Sequence, residues 1–320
     1  MIEKVIYVLS NNFNYDDLIC CDAGYGYAES LGLETSLLGN LSINVNQAYF
    51  IDNRLLESEL GILTKYILEN PDVLFILKIV DPCEHHKHHY YYKFLFSSIQ
   101  FNNIFYVSVY SFAGLTKELA DIVKNRIEFL PFPYLKEKEI IHYKCTDRIN
   151  KIIVSGVVEK FIYPERYRFV EWMKIPIIRK IIARLEHPGY KDLNSTLIHS
   201  NVGDKYVKFL SGYKYMFVSP SKYKLELLKF YECAYAGCIP IGVIPYSWCH
   251  IPILKSNFIQ LSLSRRLFFY PSLILALFKV IFLTPSIKEV RSELHKTRNP
   301  KLLYSNLILI VNKFRENLDT

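Results

Sequence analysis

The chain has 320 residues, about twice the length of a common single domain, so two hydrophobic cores are expected. Because 51% of the residues are hydrophobic and no low-complexity tract occurs, the composition argues against an intrinsically disordered protein. A formal net charge of +8 favours polyanionic partners, which include nucleotide diphosphates, anionic lipid surfaces and nucleic acid.

The first part of the chain alternates short apolar runs with segments of helical period, which is typical of a parallel sheet covered on both faces. The pattern predicts strands over 5–9, 35–38, 73–80, 104–109 and 127–130, and helices over 25–31, 55–68, 91–98 and 117–123. A charged segment follows Pro131 and Pro133, and proline opposes continued regular structure. We therefore predict an N-terminal Rossmann-like domain over residues 1–140.

A second alternating series predicts another Rossmann-like domain over residues 141–320, so the fold class is α/β with two such lobes. Strands are predicted over 151–154, 215–218, 239–242 and 258–261. Helices are predicted over 164–173, 177–185, 206–211 and 225–235, followed by three C-terminal helices. The apolar run from Leu267 to Leu283, preceded by Arg265 and Arg266, is interpreted as a buried helix, with contact with an anionic membrane surface as the alternative.

The segment from Lys229 to Pro240 carries the most chemical information. Lys229 and Glu232 lie three residues apart on a predicted helix and therefore share a face. An acid among apolar neighbours is costly unless a partner compensates its charge. Gly237 suits the left-handed position that ends a helix, before the strand that follows. A local ion pair and an ordinary helix end would explain the same residues without any ligand.

The same segment resembles the donor-site helix of GT-B glycosyltransferases, in which a glutamate is followed by small residues, a glycine, two residues and a proline. The matching positions are Glu232, Ala236, Gly237 and Pro240. The resemblance implies two Rossmann-like lobes with a donor cleft between them, a nucleotide-diphosphate sugar as co-substrate, and no cofactor. It also implies that Glu232 accepts hydrogen bonds from the ribose and that Lys229 lies near the phosphates.

The resemblance extends to Ser155-Gly156 after a predicted strand, and more loosely to Tyr163-Pro-Glu-Arg166 and the run from Tyr213 to Ser219, which are similar to bacterial surface-polysaccharide transferases. A backbone that passes close to pyrophosphate needs glycine, and arginine can clamp phosphate bidentately. The expected donor-binding residues are therefore Gly156, Arg166, Ser219, Lys229, Glu232 and Gly237.

Two absences refine this hypothesis. Many retaining members of the family carry a further glutamate eight residues before the matched one, where this chain has Lys224, so the stereochemistry stays open. No Asp-x-Asp triplet occurs, which argues against a metal-dependent donor site. Without a metal, the leaving diphosphate would be stabilised by Lys229, Arg166 and helix N-termini.

The resemblance to GT-B glycosyltransferases also implies that the first domain binds the acceptor, and loops at the carboxyl ends of its strands are expected to make the contacts. The loop after the first strand offers hydroxyl, amide and carboxylate groups at Asn12, Tyr15 and Asp16. The histidine-rich loop that follows the strand over 73–80 contains candidate general bases for the acceptor hydroxyl at Asp81, Glu84 and His85. An exposed polar loop without a catalytic role is the alternative for this second loop.

The resulting hypothesis is a metal-independent glycosyltransferase that acts on a saccharide or lipid-linked glycan in surface-polysaccharide assembly. Scattered cysteines and an N-terminus unlike a signal peptide favour the cytoplasm, with the inner face of the membrane as a candidate location. The alternatives are a DNA- or protein-modifying glycosyltransferase and a non-catalytic nucleotide or nucleic-acid binder. Nucleic acid is not the expected partner, because the 25 tyrosines are spread through apolar strands rather than interleaved with basic residues.

Overall fold

The computed structural model of the chain describes residues 1–15, 23–79, 89–110, 123, 126–141, 148–185, 204–261 and 285–318. It divides into two compact units: unit 1 comprises Met1–Pro133 with Arg298–Thr320, and unit 2 comprises Tyr134–Thr297. The division differs from the predicted 1–140 and 141–320 because the C-terminal helix packs against the first helix of the chain. Asn312 on that C-terminal helix also accepts a hydrogen bond from the backbone N–H of Ile2, at 2.6 Å.

The described elements follow one another as parallel strands and connecting helices. The strands are β1 (Lys4–Leu9), β2 (Glu34–Leu37), β3 (Gln47–Ile51), β4 (Leu74–Ile79), β5 (Ile104–Ser108), β6 (Ile127–Phe129), β7 (Ile149–Val154), β8 (Ile182–Arg184), β9 (Tyr213–Val218), β10 (Ile239–Gly242) and β11 (Ile259–Gln260). The helices are α1 (Gly24–Leu31), α2 (Glu57–Glu69), α3 (Tyr90–Ser97), α4 (Pro164–Glu171), α5 (Pro176–Ile181), α6 (Asp204–Ser211), α7 (Leu228–Tyr235), α8 (Tyr246–Cys249), α9 (Pro252–Ser256), α10 (Ile287–Thr297) and α11 (Pro300–Leu318).

The two sheets have related strand orders, β2-β1-β3-β4-β5-β6 in unit 1 and β11-β10-β9-β7-β8 in unit 2. In each unit the first strand lies between the second and the third, and all the described strand pairs are parallel. Chain connections leave in opposite directions on either side of that first strand, which opens a crevice at the carboxyl ends of the strands. The predicted α/β fold of two Rossmann-like lobes is confirmed.

Buried faces on both sides of each sheet explain why the strands are almost continuously apolar. All six residues of β4 are buried, including the charged Lys78. One face of the unit 1 sheet packs under α2 and α3, where Leu63 and Leu95 join the core formed by Val8 and Leu77. In unit 2, Phe169 from α4 stacks on Phe217 of β9 with ring centroids 4.0 Å apart.

Besides the short helices α8 and α9, which no sequence pattern predicted, two elements differ from the sequence predictions. No strand was predicted at Gln47–Ile51, yet β3 lies at the centre of its sheet, paired with both β1 and β4. The helix predicted over 177–185 is wrong in its last part, because α5 ends at Ile181 and residues Ile182–Arg184 pair with β7 as an edge strand. In both cases pairing with distant strands determines the structure of a short segment whose local pattern is ambiguous.

None of the helices within the described ranges is long and apolar enough to cross a membrane. The predicted apolar helix or membrane contact between Leu267 and Leu283 falls in residues 262–284, outside the described residues. The helix predicted over 117–123 also falls outside them, except for Val123.

Candidate functional site

Two segments that contain serine, one of them followed by glycine, lie at the carboxyl ends of neighbouring strands in unit 2. Ser155 and Gly156 follow β7, and Ser219 follows β9, the strand that pairs with β7. These are the two strands that flank the crevice expected from the strand order. The three residues therefore lie at the edge of the sheet where ligands bind in this type of fold.

Gly156 is the position where two cationic side chains meet the backbone. Its φ is +93°, a backbone conformation that residues other than glycine rarely adopt. A Cβ at this position would lie 2.8 Å from Nη1 of Arg166 and 3.2 Å from Cε of Lys229. The positive φ thus favours glycine at this turn, and the ends of the Arg166 and Lys229 side chains lie directly against it. The structure brings these three predicted donor residues together.

Arg166 reaches the turn from α4, which begins with proline at its first position. Its side chain is buried, and Nη1 donates a hydrogen bond to the carbonyl oxygen of Val157 at 2.8 Å. The guanidinium carbon lies 4.5 Å from the ring centroid of Tyr163. Stacking and hydrogen bonding hold the guanidinium plane in one orientation, as bidentate recognition of an anion requires.

Lys229 reaches the same turn from α7 and contacts Glu232 and Tyr206. Its Nζ lies 2.7 Å from a carboxylate oxygen of Glu232, and it donates a hydrogen bond to the hydroxyl of Tyr206 at 2.9 Å. Burial lowers the pKa of Lys229, but the negative charge of Glu232 and the interaction with Tyr206 outweigh this effect, so the pKa is raised. Lys229 is therefore a permanent cation at physiological pH.

Glu232 is accessible despite its apolar neighbours. Its side chain is 24% exposed and that of Lys229 is 22% exposed, so both side chains are in part accessible to solvent. The local ion pair that the sequence allowed is present. It is accompanied by a glycine turn and a second cation, which an ordinary helical ion pair does not need.

Ser219 is fully buried at the end of β9. Its hydroxyl has no hydrogen-bond partner among the described residues, which is uncommon for a buried hydroxyl. Next to it, Gly242 at the end of β10 has a φ of +143°, and a Cβ there would lie 2.1 Å from the carbonyl oxygen of Val218. The backbones of β9 and β10 therefore approach each other closely at Val218, the residue before Ser219.

Gly237 lies away from these residues. As predicted, it takes a left-handed conformation with φ of +69° and ends α7, where Cys238 N–H donates to the carbonyl of Cys233 at 3.0 Å. Its own carbonyl accepts from Arg148, which directly precedes β7, at 2.6 Å. Gly237 is thus at the amino ends of the strands, about 13 Å along the helix axis from the start of α7. The predicted helix end at Gly237 is present, and its predicted donor-binding role stays a prediction.

The loop before α7 contains the position at which many retaining glycosyltransferases carry a second glutamate. Lys224 occupies it with a φ of +63°, and its Nζ lies 3.9 Å from the carboxylate of Glu165. Glu226, two residues further on, is buried and accepts a hydrogen bond from Ser247. The helix itself starts at Leu228, three residues later than predicted.

The predicted acceptor residues Asn12 and Tyr15 follow β1 in unit 1. Tyr15 accepts a hydrogen bond from the backbone N–H of Ser10 at 2.8 Å, while the amide of Asn12 lies 3.4 Å from a carboxylate oxygen of Glu59. Asp16 and the candidate bases Asp81, Glu84 and His85 lie outside the described residues.

Buried charges that the sequence analysis missed support this part of unit 1. Glu59 accepts hydrogen bonds from Ser10 Oγ at 2.5 Å, from Asn11 N–H at 2.7 Å and from Leu56 N–H at 2.8 Å. Asp52 accepts from Gly24 N–H at 2.6 Å and from the Tyr7 hydroxyl at 3.0 Å. Lys78 Nζ donates a hydrogen bond to the Tyr7 hydroxyl at 3.1 Å. A charged residue within the apolar strand β4 was the signal in the sequence that could have indicated this polar cluster.

Tyr206 is the residue of the unit 2 site that the sequence analysis missed. It lies 23 residues before Lys229 in the chain, and no motif connects the two. Within the part of the chain that the structure describes, no three His, Cys, Asp or Glu side chains form a group that could hold a metal ion.

No protein-family model matches the chain, and no curated protein matches it. Solved structures do match its fold. The Anabaena protein Alr3699/HepE in complex with UDP and glucose has a TM-score of 0.55 at 6% identity, over 97% of this chain and 99% of that one. A glycosyltransferase from Rickettsia africae has a TM-score of 0.51 at 10% identity, over 99% of both chains. These likenesses establish that the chain has the two-lobed fold of known glycosyltransferases.

Proposed function

We propose that the chain is a glycosyltransferase that uses a nucleotide-diphosphate sugar, with the diphosphate bound at the carboxyl ends of β7 and β9. The convergence of Arg166 and Lys229 on the Gly156 turn carries this proposal. A diphosphate at this turn would meet two fixed cations and a closely approachable backbone, a combination suited to pyrophosphate. Similarity in fold to a glycosyltransferase and to a protein bound to UDP and glucose supports it.

The ribose of the donor is assigned to Glu232. A carboxylate has about four lone-pair sites, so its ion pair with Lys229 leaves acceptor capacity for two ribose hydroxyls. The oxygen that pairs with Lys229 is buried, so the proposed ribose contact is the other oxygen of this partly exposed side chain. Binding the ribose at Glu232 and the diphosphate at Lys229 uses neighbouring groups on one face of α7, in the order in which they occur along a nucleotide.

The developing charge on the leaving diphosphate would be stabilised by Arg166 and Lys229 without a divalent metal. Fixed cations in a partly buried site need little reorganisation as charge develops, which is the physical basis of this kind of stabilisation. Sugar transfer that continues at full rate in excess EDTA is the expected result. Loss of activity in EDTA and its recovery with Mg²⁺ or Mn²⁺ would contradict the metal-independent mechanism.

We further propose that the acceptor is a hydroxyl of a saccharide or lipid-linked glycan in surface-polysaccharide assembly at the cytoplasmic face of a membrane. The hydroxyl and amide groups after β1 and the net charge of +8 support this choice. Asn12, Tyr15 and Asp16 remain the proposed acceptor contacts. The proposed general base comes from the loop that contains Asp81, Glu84 and His85.

A panel of UDP-, GDP-, CMP- and dTDP-sugars tests the proposal by thermal shift. The correct donor should raise the melting temperature in proportion to its binding free energy, and the others should not. Glu232→Ala should remove that response. Glu171→Ala is the matched control, because Glu171 forms an exposed ion pair with Lys174 at the same 2.7 Å distance and three-residue spacing.

Measuring turnover of the donor distinguishes an enzyme from a non-catalytic nucleotide-sugar binder. Release of the nucleoside diphosphate from the donor that stabilises the protein is expected, and it should accelerate with the correct acceptor. Absence of both stabilisation and release for every donor would refute the proposal. Tight, salt-sensitive association with DNA in the same preparation would then favour a nucleic-acid binder.

A further inference from the structure

Tyr206 contacts the Lys229 ammonium group through both its hydroxyl and its ring. The hydroxyl accepts a hydrogen bond from Nζ at 2.9 Å, and the same nitrogen lies 4.3 Å from the ring centroid. An ammonium over an aromatic face is attracted by the π electrons, in addition to the hydrogen bond. One aromatic side chain from α6 therefore provides two separate attractions for a cation on α7.

The hydroxyl of Tyr206 is in turn fixed to the glycine turn. It forms a short hydrogen bond with Oγ of Ser155, in which either oxygen can be the donor. Ser155 is buried and directly precedes Gly156. Burial raises the pKa of Tyr206 above its usual value, so the hydroxyl stays protonated at physiological pH. Tyr206 thus joins the end of β7 to the ammonium of Lys229.

Glu232 and Tyr206 hold Lys229 in different ways. Glu232 is on the same helix as Lys229, so its attraction alone would keep the ammonium along the surface of α7. Tyr206 is on a different helix and is bonded to the residue before the turn, so it draws the ammonium towards Gly156. A lysine side chain has many rotamers, and ordering it before a ligand arrives removes that entropy cost from binding.

We propose that Tyr206, anchored by Ser155, is a positioning residue that holds the Lys229 ammonium at the Gly156 turn, where it binds the donor diphosphate. This inference rests on the proposed function. It adds a residue that no sequence motif indicated. It also predicts which part of the nucleotide depends on Tyr206, namely the phosphates and not the nucleoside.

A double-mutant cycle on the full chain tests the proposal, with affinities measured by isothermal titration calorimetry. The ligands are the nucleoside diphosphate of the stabilising donor and the corresponding nucleoside. Tyr206→Phe keeps the ring and removes the hydroxyl, and should weaken diphosphate binding about tenfold. Nucleoside binding should change less than about twofold. In a Lys229→Met background, adding Tyr206→Phe should change diphosphate binding less than about twofold further.

Three results would each overturn the inference and leave the proposed function intact. They are additive losses of affinity for the two substitutions, equal losses of affinity for the diphosphate and the nucleoside, and an unchanged affinity of the Tyr206→Phe protein. A wild-type protein that binds no nucleoside diphosphate overturns both. Tyr213→Phe is the control, since Tyr213 begins β9 at the opposite edge of the sheet. If Tyr206→Phe does not fold, Ser155→Ala is tested in the same cycle and should weaken diphosphate binding about threefold, again only when Lys229 is present.

Discussion

The two units place different charges at the equivalent edge of closely related sheets. In unit 2, Arg166 and Lys229 converge on a glycine turn between the first and third strands. In unit 1, the corresponding loops are supported by the buried carboxylates of Asp52 and Glu59. Strand order creates a crevice in both units, but the charges decide what each can bind. This difference agrees with the proposed diphosphate in unit 2 and the proposed hydroxyl-rich acceptor in unit 1.

The charged groups of the two units also differ in the number of hydrogen bonds and ion pairs that they make within the protein. The carboxylate of Glu59 accepts from two backbone N–H groups and from the Ser10 hydroxyl, so it holds the loop after β1. The ammonium of Lys229 has three donor hydrogens and contacts Glu232 and Tyr206. The Glu59 carboxylate therefore supports a loop, whereas Lys229 has two such contacts among the described residues and its third hydrogen is proposed to bind the diphosphate.

Glu59→Ala should have the largest effect and should be confined to unit 1. Several buried donors would lose their acceptor, and we expect a loss of about 4 kcal/mol in the free energy of unfolding. Chemical denaturation followed by fluorescence measures this loss. Glu57→Ala, an exposed acid in the same helical turn, should cost less than about 0.5 kcal/mol. Similar losses for the two variants would show that Glu59 does not support the loop.

Lys229→Met should weaken binding of the nucleoside diphosphate about 100-fold, because it removes a charged contact with the phosphates and leaves Glu232 without its partner. Calorimetric titration provides the measurement. Lys174→Met removes the cation from the matched exposed pair and should leave the affinity unchanged. A Lys229→Met protein with wild-type affinity would place the phosphates elsewhere.

Gly156→Ala should reduce both stability and donor binding. The left-handed backbone costs about 1 to 2 kcal/mol for a residue with a side chain. The new methyl group would also displace Arg166 and Lys229, which lie within 3.2 Å of it, so we expect about tenfold weaker diphosphate binding. Thermal unfolding and titration of one preparation give both values. Normal affinity in a destabilised protein would mean that the turn is purely structural.

Gly237→Ala should have the smallest effect and provides the contrast to Gly156. Both glycines have positive φ, but Gly237 ends α7 at the other edge of the sheet. We expect a loss of about 1 kcal/mol in stability and no change in diphosphate affinity. A drop in affinity comparable to that of Gly156→Ala would support the predicted donor-binding role of Gly237 instead.

The fold was predictable where local patterns were strong. Continuous apolar runs identified β1, β4, β5 and β9, because a strand buried on both faces must be apolar along its length. The strand β3 was not predicted, since its short apolar run lies between Asn44 and Asn46 on one side and Asp52 and Asn53 on the other, residues that are typical of turns and loops. Likewise, β8 depends on pairing with β7 at Ile182, which a helical pattern in the preceding residues concealed.

The sequence by itself determined most of the succession of strands and helices, the helix end at Gly237, and the shared face of Lys229 and Glu232, because these depend on residues close together in the chain. The tertiary structure decided that Arg166 from α4 and Lys229 from α7 meet at Gly156, that Gly237 lies away from them, and that Tyr206 joins the site. Such contacts link segments up to 73 residues apart, from Gly156 to Lys229, and no local pattern specifies them. They depend on the strand order, which brings the ends of β7 and β9 side by side.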